Sequence, residues 1–258
     1  MRIVIKIGTS TLAHRTGNLN IKLVEALCKT IADIKNAGHE IILVSSGAIG
    51  MGVGKLSLKE RPHDVPGKQA VAAVGQCELM YTYDKLFSEY NHTVAQILLT
   101  ASDFADETRH SNFSNTIYRL LELGALPIIN ENDTVATEEL GIGDNDTLAA
   151  YVAVSVKADL LILLSDIDGL YTENPAHNPN ARLIPVVRAV TEETERLAGG
   201  SESGLGTGGM TTKLRAAKIV TAAHMDMVIA NGKNPTILYD IMDGKSVGTK
   251  FCRREVDA

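Results

Sequence analysis

The sequence predicts an α/β fold, a three-layer α/β/α sandwich around a mainly parallel sheet. Aliphatic runs of about four to seven residues alternate with longer segments of helical period, which is the mark of β-α-β units. The runs are apolar at successive positions, as strands covered on both faces are. Most of them pass abruptly into Gly, Ser, Asn, Asp or Lys, so polar residues collect at strand ends.

Taken in order, RIVIKIG is the first strand and LVEALCKTIADIKNAG a helix stopped by Gly38. EIILVSSG follows as strand, KQAVAAVGQCELMYTYDKLFSEY as helix, TVAQILLT as strand and SNFSNTIYRLLELG as a helix stopped by Gly124. Glycine at these stops supplies the left-handed residue that commonly ends a helix. ALPIINEN is then a strand, NDTLAAYVAVSVKA a helix and DLLILLSD a strand. A helix starts near Thr211, and DMVIANG is a late strand. The segments TVATEELGIG and ENPAHNPNARLIPVV read as hairpins or loops between units. With no internal repeat and no low-complexity linker, one domain over residues 1–258 is expected.

Bulk properties narrow the class of function. The chain has 258 residues, 45% hydrophobic and 22% charged, as in ordinary globular proteins. A net charge of −6, no Lys/Arg-rich run and no Trp leave neither a basic field nor a stacking platform for nucleic acid. No stretch approaches the ~20 apolar residues of a membrane span, and the N-terminus lacks a signal-peptide pattern, so a cytoplasmic location is expected. Cys28, Cys77 and Cys252 are far apart and form neither a disulfide framework nor zinc spacing. The seven histidines make no HxH or HExxH pair.

In a parallel sheet the polar strand ends share one edge, where ligands of open α/β folds bind. Lys6, among aliphatics, either emerges to solvent or meets an anion, with Gly8, Thr9 and Ser10 behind it. SSGAIGMGVG offers Ser45, Ser46, Gly47, Gly50, Gly52 and Gly54, read as a loop suited to close backbone approach to a carboxylate or phosphate. INENDTVAT and IGDNDTLAA present Asp133, Asp144, Asn145 and Asp146. Helix capping accounts for one of the three polar residues in the second, leaving the others for an ammonium, a lysine or Mg²⁺. Ser165, Asp166 and Asp168 stand at another strand end, in a turn or against a nucleotide.

SGLGTGGMTTKLRAAKIV is the most punctuated stretch. Its glycines match the dinucleotide spacing GxGxxG and the GxxxxG of a P-loop, but TEETERLAGGSES before it reads as a charged helix, and Met210 stands where a P-loop has Lys. The geometry that remains is backbone N–H groups and a helix N-terminus turned toward an anion, with Lys213 in reach.

In this order, KIGTS, VSSGAIG, INENDTVAT, GDND, SDIDGLYT and SGLGTGGMTTKLRAA resemble the amino acid kinase superfamily and, within it, the glutamate 5-kinase family, from Lys6 to about Phe251. SDIDGLYT is shared widely, aspartate kinases having a similar phrase, whereas INENDTVAT with GDND and GLGTGGMTTK is more specific. Many bacterial members carry a C-terminal RNA-binding-like PUA domain. This chain ends soon after SVGTKF, so a single amino acid kinase domain over 1–258 without PUA is expected, its N-terminal part mainly glutamate-binding and its C-terminal part mainly nucleotide-binding.

The resemblance implies transfer of the ATP γ-phosphoryl group to the side-chain carboxylate of L-glutamate, the first step of proline biosynthesis. It implies that Lys6 and Lys213 straddle the transferring phosphoryl with Asp146 orienting them. Ser46, Gly47, Asp133 and Asn145 would hold glutamate, Asp133 meeting its α-ammonium, and Gly8 and Gly47 would donate backbone hydrogen bonds to phosphates. Lys6, Gly8, Ser165, Asp166, Thr207, Gly208, Gly209, Met210, Thr211, Thr212 and Lys213 would line the nucleotide site, with Mg²⁺ held mainly by the ATP phosphates. The family also implies inhibition by proline and a homodimer or homotetramer, and channelling would bring in the next pathway enzyme, glutamyl phosphate reductase.

The alternatives are another family member acting on aspartate, N-acetylglutamate, carbamate or a phosphate monoester, a non-catalytic ATP or amino-acid sensor, and a Rossmann dehydrogenase. The adjacent acids of NENDTV and GDND favour a substrate with a free α-ammonium, and two retained lysines favour catalysis over sensing.

Overall fold

A computed structural model describes residues 1–14, 18–136, 144–198 and 209–253. In chain order the elements begin with β1 (Arg2–Ile7), α1 (Thr9–Leu12), α2 (Ile21–Asn36), β2 (Glu40–Ser45), α3 (Ala48–Lys55), α4 (Val65–Ser88) and β3 (Val94–Leu99). They continue with α5 (Ala101–Ala105), α6 (Glu107–Glu122), β4 (Leu126–Glu131), α7 (Asn145–Ser155), β5 (Leu160–Ser165) and β6 (Val186–Val187). The last are α8 (Glu192–Ala198), α9 (Met210–Ala222), β7 (Asp226–Asn231), α10 (Ile237–Met242) and β8 (Thr249–Phe251).

The strands form one sheet in the order β3-β4-β2-β1-β5-β7-β8-β6. Every neighbouring pair is parallel except β7 and β8. β1 is held on both sides, Ile5 facing Leu43 of β2 and Ile162 of β5. Alternate residues feed two separate cores, as the period of two in a strand requires. Val4, Val44, Ile129, Leu163 and Ile229 pack with α6, α7 and α9. Ile5, Leu43, Ile128, Ile162 and Val228 pack with α2, α4 and α10 on the other face. This is the expected α/β/α sandwich with a mainly parallel sheet.

The largest departure from the sequence reading is SSGAIGMGVG, which is not a loop beyond Gly47 but helix α3. Glycine weakens an isolated helix by about 1 kcal/mol per residue, so local preference argues against this assignment. Tertiary packing reverses it. A Cβ on Gly52 would sit 2.0 Å from the Val71 carbonyl oxygen, and one on Gly75 would sit 1.7 Å from that of Ala48. The glycines therefore let α3 and α4 touch backbone to backbone. Within SSGAIGMGVG, Gly47 is the glycine that conformation requires, with φ of 107° at the turn into α3.

Other differences are at boundaries. α4 starts at Val65 rather than Lys68 because Asp64 accepts from the Gly67 N–H at 2.9 Å and Pro66 suits the first turn. α6 starts at Glu107 because Asp106 accepts from the Arg109 N–H at 2.8 Å. α1, α5, α10, β6 and β8 are too short to show a period in sequence. ENPAHNPNARLIPVV, read as hairpin or loop, ends in β6 and so joins the sheet edge. Much of TVATEELGIG lies outside the described residues. Among the described residues no helix is long and apolar enough to cross a membrane.

Candidate active site

β1, β2, β4, β5 and β7 run parallel, so their C-terminal ends meet along one edge. Lys6 arrives there from β1, Ser45 from the end of β2 with Ser46 just beyond it, Asn130 from β4 and Ser165 from β5. α7 and α9 approach this edge with their N-terminal turns, bringing Asn145, Asp146, Thr212 and Lys213.

The centre of the site is Asp146, 1% exposed. Lys6 Nζ lies 2.6 Å from its Oδ1 and Lys213 Nζ 3.1 Å from its Oδ2. Both lysines are buried. Thr212 Oγ1 lies 2.8 Å from Asp146 Oδ2 and equally far from the Gly209 carbonyl oxygen. Burial pushes the Asp146 carboxyl up, but the charge of Lys6, then that of Lys213, and hydrogen bonds from Lys6 and Thr212 outweigh it and hold the pKa down to about 2. One carboxylate thus fixes two cations, and the trio carries one net positive charge.

The polar residues of GDND divide their work. Asp144 is the helix cap: its Oδ1 accepts from the Thr147 N–H at 2.7 Å and its Oδ2 from the Thr147 hydroxyl at 2.9 Å. Asp146 turns to the lysines. Asn145 points toward β2, its Nδ2 lying 2.7 Å from Ser46 Oγ, 3.1 Å from the Ser45 carbonyl oxygen and 3.0 Å from Asn130 Oδ1.

The turns after β1 and β2 are neighbours. A Cβ on Gly8 would lie 3.5 Å from Lys6 Nζ, and one on Gly47 would lie 3.9 Å from Thr9 Cγ2. Asp133 sits in the turn after β4, half-buried, and makes no hydrogen bond to Asn145 or Ser46. Burial raises its pKa, with the charge of Arg61 opposing.

On the other side of β1, buried Ser165 donates to the exposed Asp166 carboxylate at 3.1 Å. Gly209 caps α9, Met210 packs its side chain into the core, and Thr211 is exposed. Thr207 and Gly208 lie outside the described residues. The segment leading to this turn is helix α8, not a buried strand, so the dinucleotide-fold context is missing.

Sequence reasoning missed Asn130, Gln76 and Tyr83. Asn130 Nδ2 donates to Gln76 Oε1 at 2.9 Å, and the Tyr83 hydroxyl lies 2.9 Å from Ser45 Oγ. The available signal was polarity at a position the helical or strand pattern buries, as with Asn at the end of ALPIIN.

Two lysines locked on one carboxylate stand at the sheet edge where two helix N-termini converge, an arrangement suited to an anionic group. The chain belongs to the amino acid kinase family, whose model matches residues 1–231. Its similarity narrows further: it is 50% identical to the glutamate 5-kinase of Clostridium perfringens over 98% of this chain and 96% of that protein. The glutamate 5-kinase of Clostridium acetobutylicum is 55% identical over 97% of this chain and 94% of that protein. Among solved structures, carbamate kinase from Giardia lamblia bound to AMP-PNP superposes with a TM-score of 0.71 at 17% identity, covering 98% of each chain. UMP kinase from Bacillus anthracis gives 0.67 at 16%, covering 98% of this chain and 96% of that one. These distant structures show the shared fold.

Proposed function

We propose that the chain transfers the γ-phosphoryl group of ATP to the side-chain carboxylate of L-glutamate, giving γ-glutamyl phosphate and ADP, the first step of proline biosynthesis. The full-length similarity to glutamate 5-kinases supports the substrate. The observation that carries the mechanism is the pair of buried lysines on Asp146.

A glutamate side chain, with a reference pKa near ~4.3, is already ionised at pH 7, so no general base is needed. One carboxylate oxygen attacks the γ-phosphorus while the bond to the β,γ-bridging oxygen breaks, and that oxygen leaves on ADP. No proton moves. The barrier comes from bringing an anion against a polyanion, so the protein contributes position and charge. Lys6 and Lys213 meet the charge of the phosphoryl oxygens, and Asp146 keeps both ammonium groups in place before the substrates arrive. Mg²⁺ would be held mainly by the ATP phosphates and supply further charge neutralisation. The donor set fits that arrangement, since Asp144 is spent on capping and Asp146 on the lysines.

Strand order supports a division of labour within a single amino acid kinase domain. β1, with Lys6, is flanked on one side by β2 and β4 and on the other by β5 and β7. Ser46, Gly47, Asp133 and Asn145 belong with the first side, the glutamate half. Gly8, Ser165, Asp166 and the α9 turn belong with the nucleotide half. The same reading includes feedback inhibition by proline, a homodimer or homotetramer, association with glutamyl phosphate reductase, and a cytoplasmic location.

The test is turnover of Mg²⁺-ATP with hydroxylamine present to trap the acyl phosphate. The expected result is hydroxamate with L-glutamate, less of it when proline is added, and none with aspartate, N-acetylglutamate or no acceptor. Hydroxamate with a different acceptor keeps the phosphoryl transfer and moves the specificity. None with any acceptor overturns the proposal in favour of a sensor.

A further inference from the structure

The buried amides beside the site have only one consistent set of orientations. Two groups in the network cannot be reversed: the Glu131 N–H, which can only donate, and the Ser45 carbonyl, which can only accept. Glu131 N–H reaches an Asn130 side-chain atom at 2.9 Å, so that atom is Oδ1. The Asn145 atom 3.1 Å from the Ser45 carbonyl and 3.0 Å from Asn130 Oδ1 must then be Nδ2. Asn130 is left with Nδ2 toward α4, where Gln76 Oε1 accepts from it at 2.9 Å. Gln76 is 7% exposed and follows Gly75, the residue that lets α4 meet α3 backbone to backbone.

From these contacts we infer that Gln76 is a positioning residue for the substrate amino group: it locks the Asn130 amide, and through it turns Asn145 Oδ1 toward the substrate's α-ammonium. The inference rests on the proposed glutamate reading. Asn145 spends its Nδ2 on Ser46, Ser45 and Asn130, and its Oδ1 has no partner among the described residues. Ser46 Oγ accepts from Asn145 Nδ2 at 2.7 Å, leaving its own O–H to donate. The two side chains together offer an acceptor for an ammonium and a donor for a carboxylate, the complement of an α-amino acid. Gln76 stays out of contact with the substrate and acts through polarity. A reversed Asn130 would set Nδ2 against both the Glu131 N–H and the Asn145 amide and would turn its oxygen onto Gln76 Oε1, so the Gln76 acceptor adds to what holds the amide in place.

The experiment compares Gln76→Leu and Gln76→Glu with the unaltered protein in the hydroxamate assay, with thermal melts to establish that each variant is folded. Leu keeps the size and removes the acceptor, whereas Glu keeps an oxygen facing Asn130. Gln76→Leu is expected to raise KM for L-glutamate about tenfold with kcat and KM for ATP within about twofold, and Gln76→Glu to return KM to within about threefold of the unaltered protein. An unchanged glutamate KM in Gln76→Leu overturns the inference. So does a joint loss in both KM values and kcat that Gln76→Glu fails to rescue, because that is the signature of disturbed packing. If the unaltered protein forms no hydroxamate with L-glutamate, the glutamate reading itself fails and takes the inference with it.

Discussion

Asp146→Asn tests the centre of the site with almost no change of shape. It removes the one negative charge between two buried ammonium groups, which stand 2.6 and 3.1 Å from its oxygens. In the native chain the Asp146 pKa falls from an ordinary 3.8 to about 2, which corresponds to about 2 kcal/mol of stability. Because the folded value is the lower one, that contribution is fully present above the ordinary value and is lost as pH falls toward 2. The substitution costs more than this, since it strands two buried cations. Breaking a buried pair typically costs about 3–5 kcal/mol. For a chain of this size that lowers Tm by about 10 °C.

Nucleotide phosphates would then replace the missing anion. Mg²⁺-ADP should therefore raise Tm more in Asp146→Asn than in the unaltered protein, while kcat falls about a hundredfold or more because the lysines are no longer aimed. Differential scanning fluorimetry with and without nucleotide, beside the hydroxamate assay, reads both quantities. A Tm within about 2 °C of the unaltered protein together with kcat within about threefold would refute the idea that Asp146 organises the lysine pair.

Asp133 provides a pH test. Burial, opposed by Arg61, raises its pKa above the ordinary aspartate value, so acidification should protonate it early and, on the proposed reading, remove a partner of the substrate ammonium. KM for glutamate is expected to rise as pH falls, beginning above the ordinary value of 3.8, and Asp133→Asn should remove the part of that rise due to Asp133, leaving the part due to the substrate's own carboxyl near ~4.3, while raising KM at neutral pH. Identical pH profiles in the two proteins would exclude the role. Gly75→Ala should destabilise the chain by about 2 kcal/mol or more, because its Cβ would lie 1.7 Å from the Ala48 carbonyl oxygen and must push α3 from α4. Urea titration measures this, and an unaffected midpoint would show that the crossing can relax.

Much of the fold was legible because a buried parallel sheet imposes a simple pattern. Runs such as EIILVS and LLILLS can satisfy their apolar side chains only when both faces are covered, so their reading as central strands required no tertiary information. Polar strand ends predicted the ligand edge for the same reason, since parallel strands of one sheet must end together. What sequence reading misjudged was α3, where the local cost of glycine pointed to a loop and contact with α4 made a helix. α5 and α10 escaped because a helix of one or two turns has no period to count.

The site divides along a similar line. The residue types at the sheet edge were legible in the sequence itself: a lysine among aliphatics, a cap before α7, glycines ahead of α9. Sequence alone left Lys6 open between solvent and an anion, and only the packing of α7 across β1 made Asp146 its partner. Likewise GDND announced three polar residues, but helix geometry decided that Asp144 caps, Asn145 faces β2 and Asp146 holds the lysines. Gln76 stands 54 positions from Asn130, and nothing in either neighbourhood links them. Periodicity, charge and turn chemistry are local and can be read along the chain. Partnership between buried polar groups depends on which elements the core brings together, and that belongs to the tertiary structure.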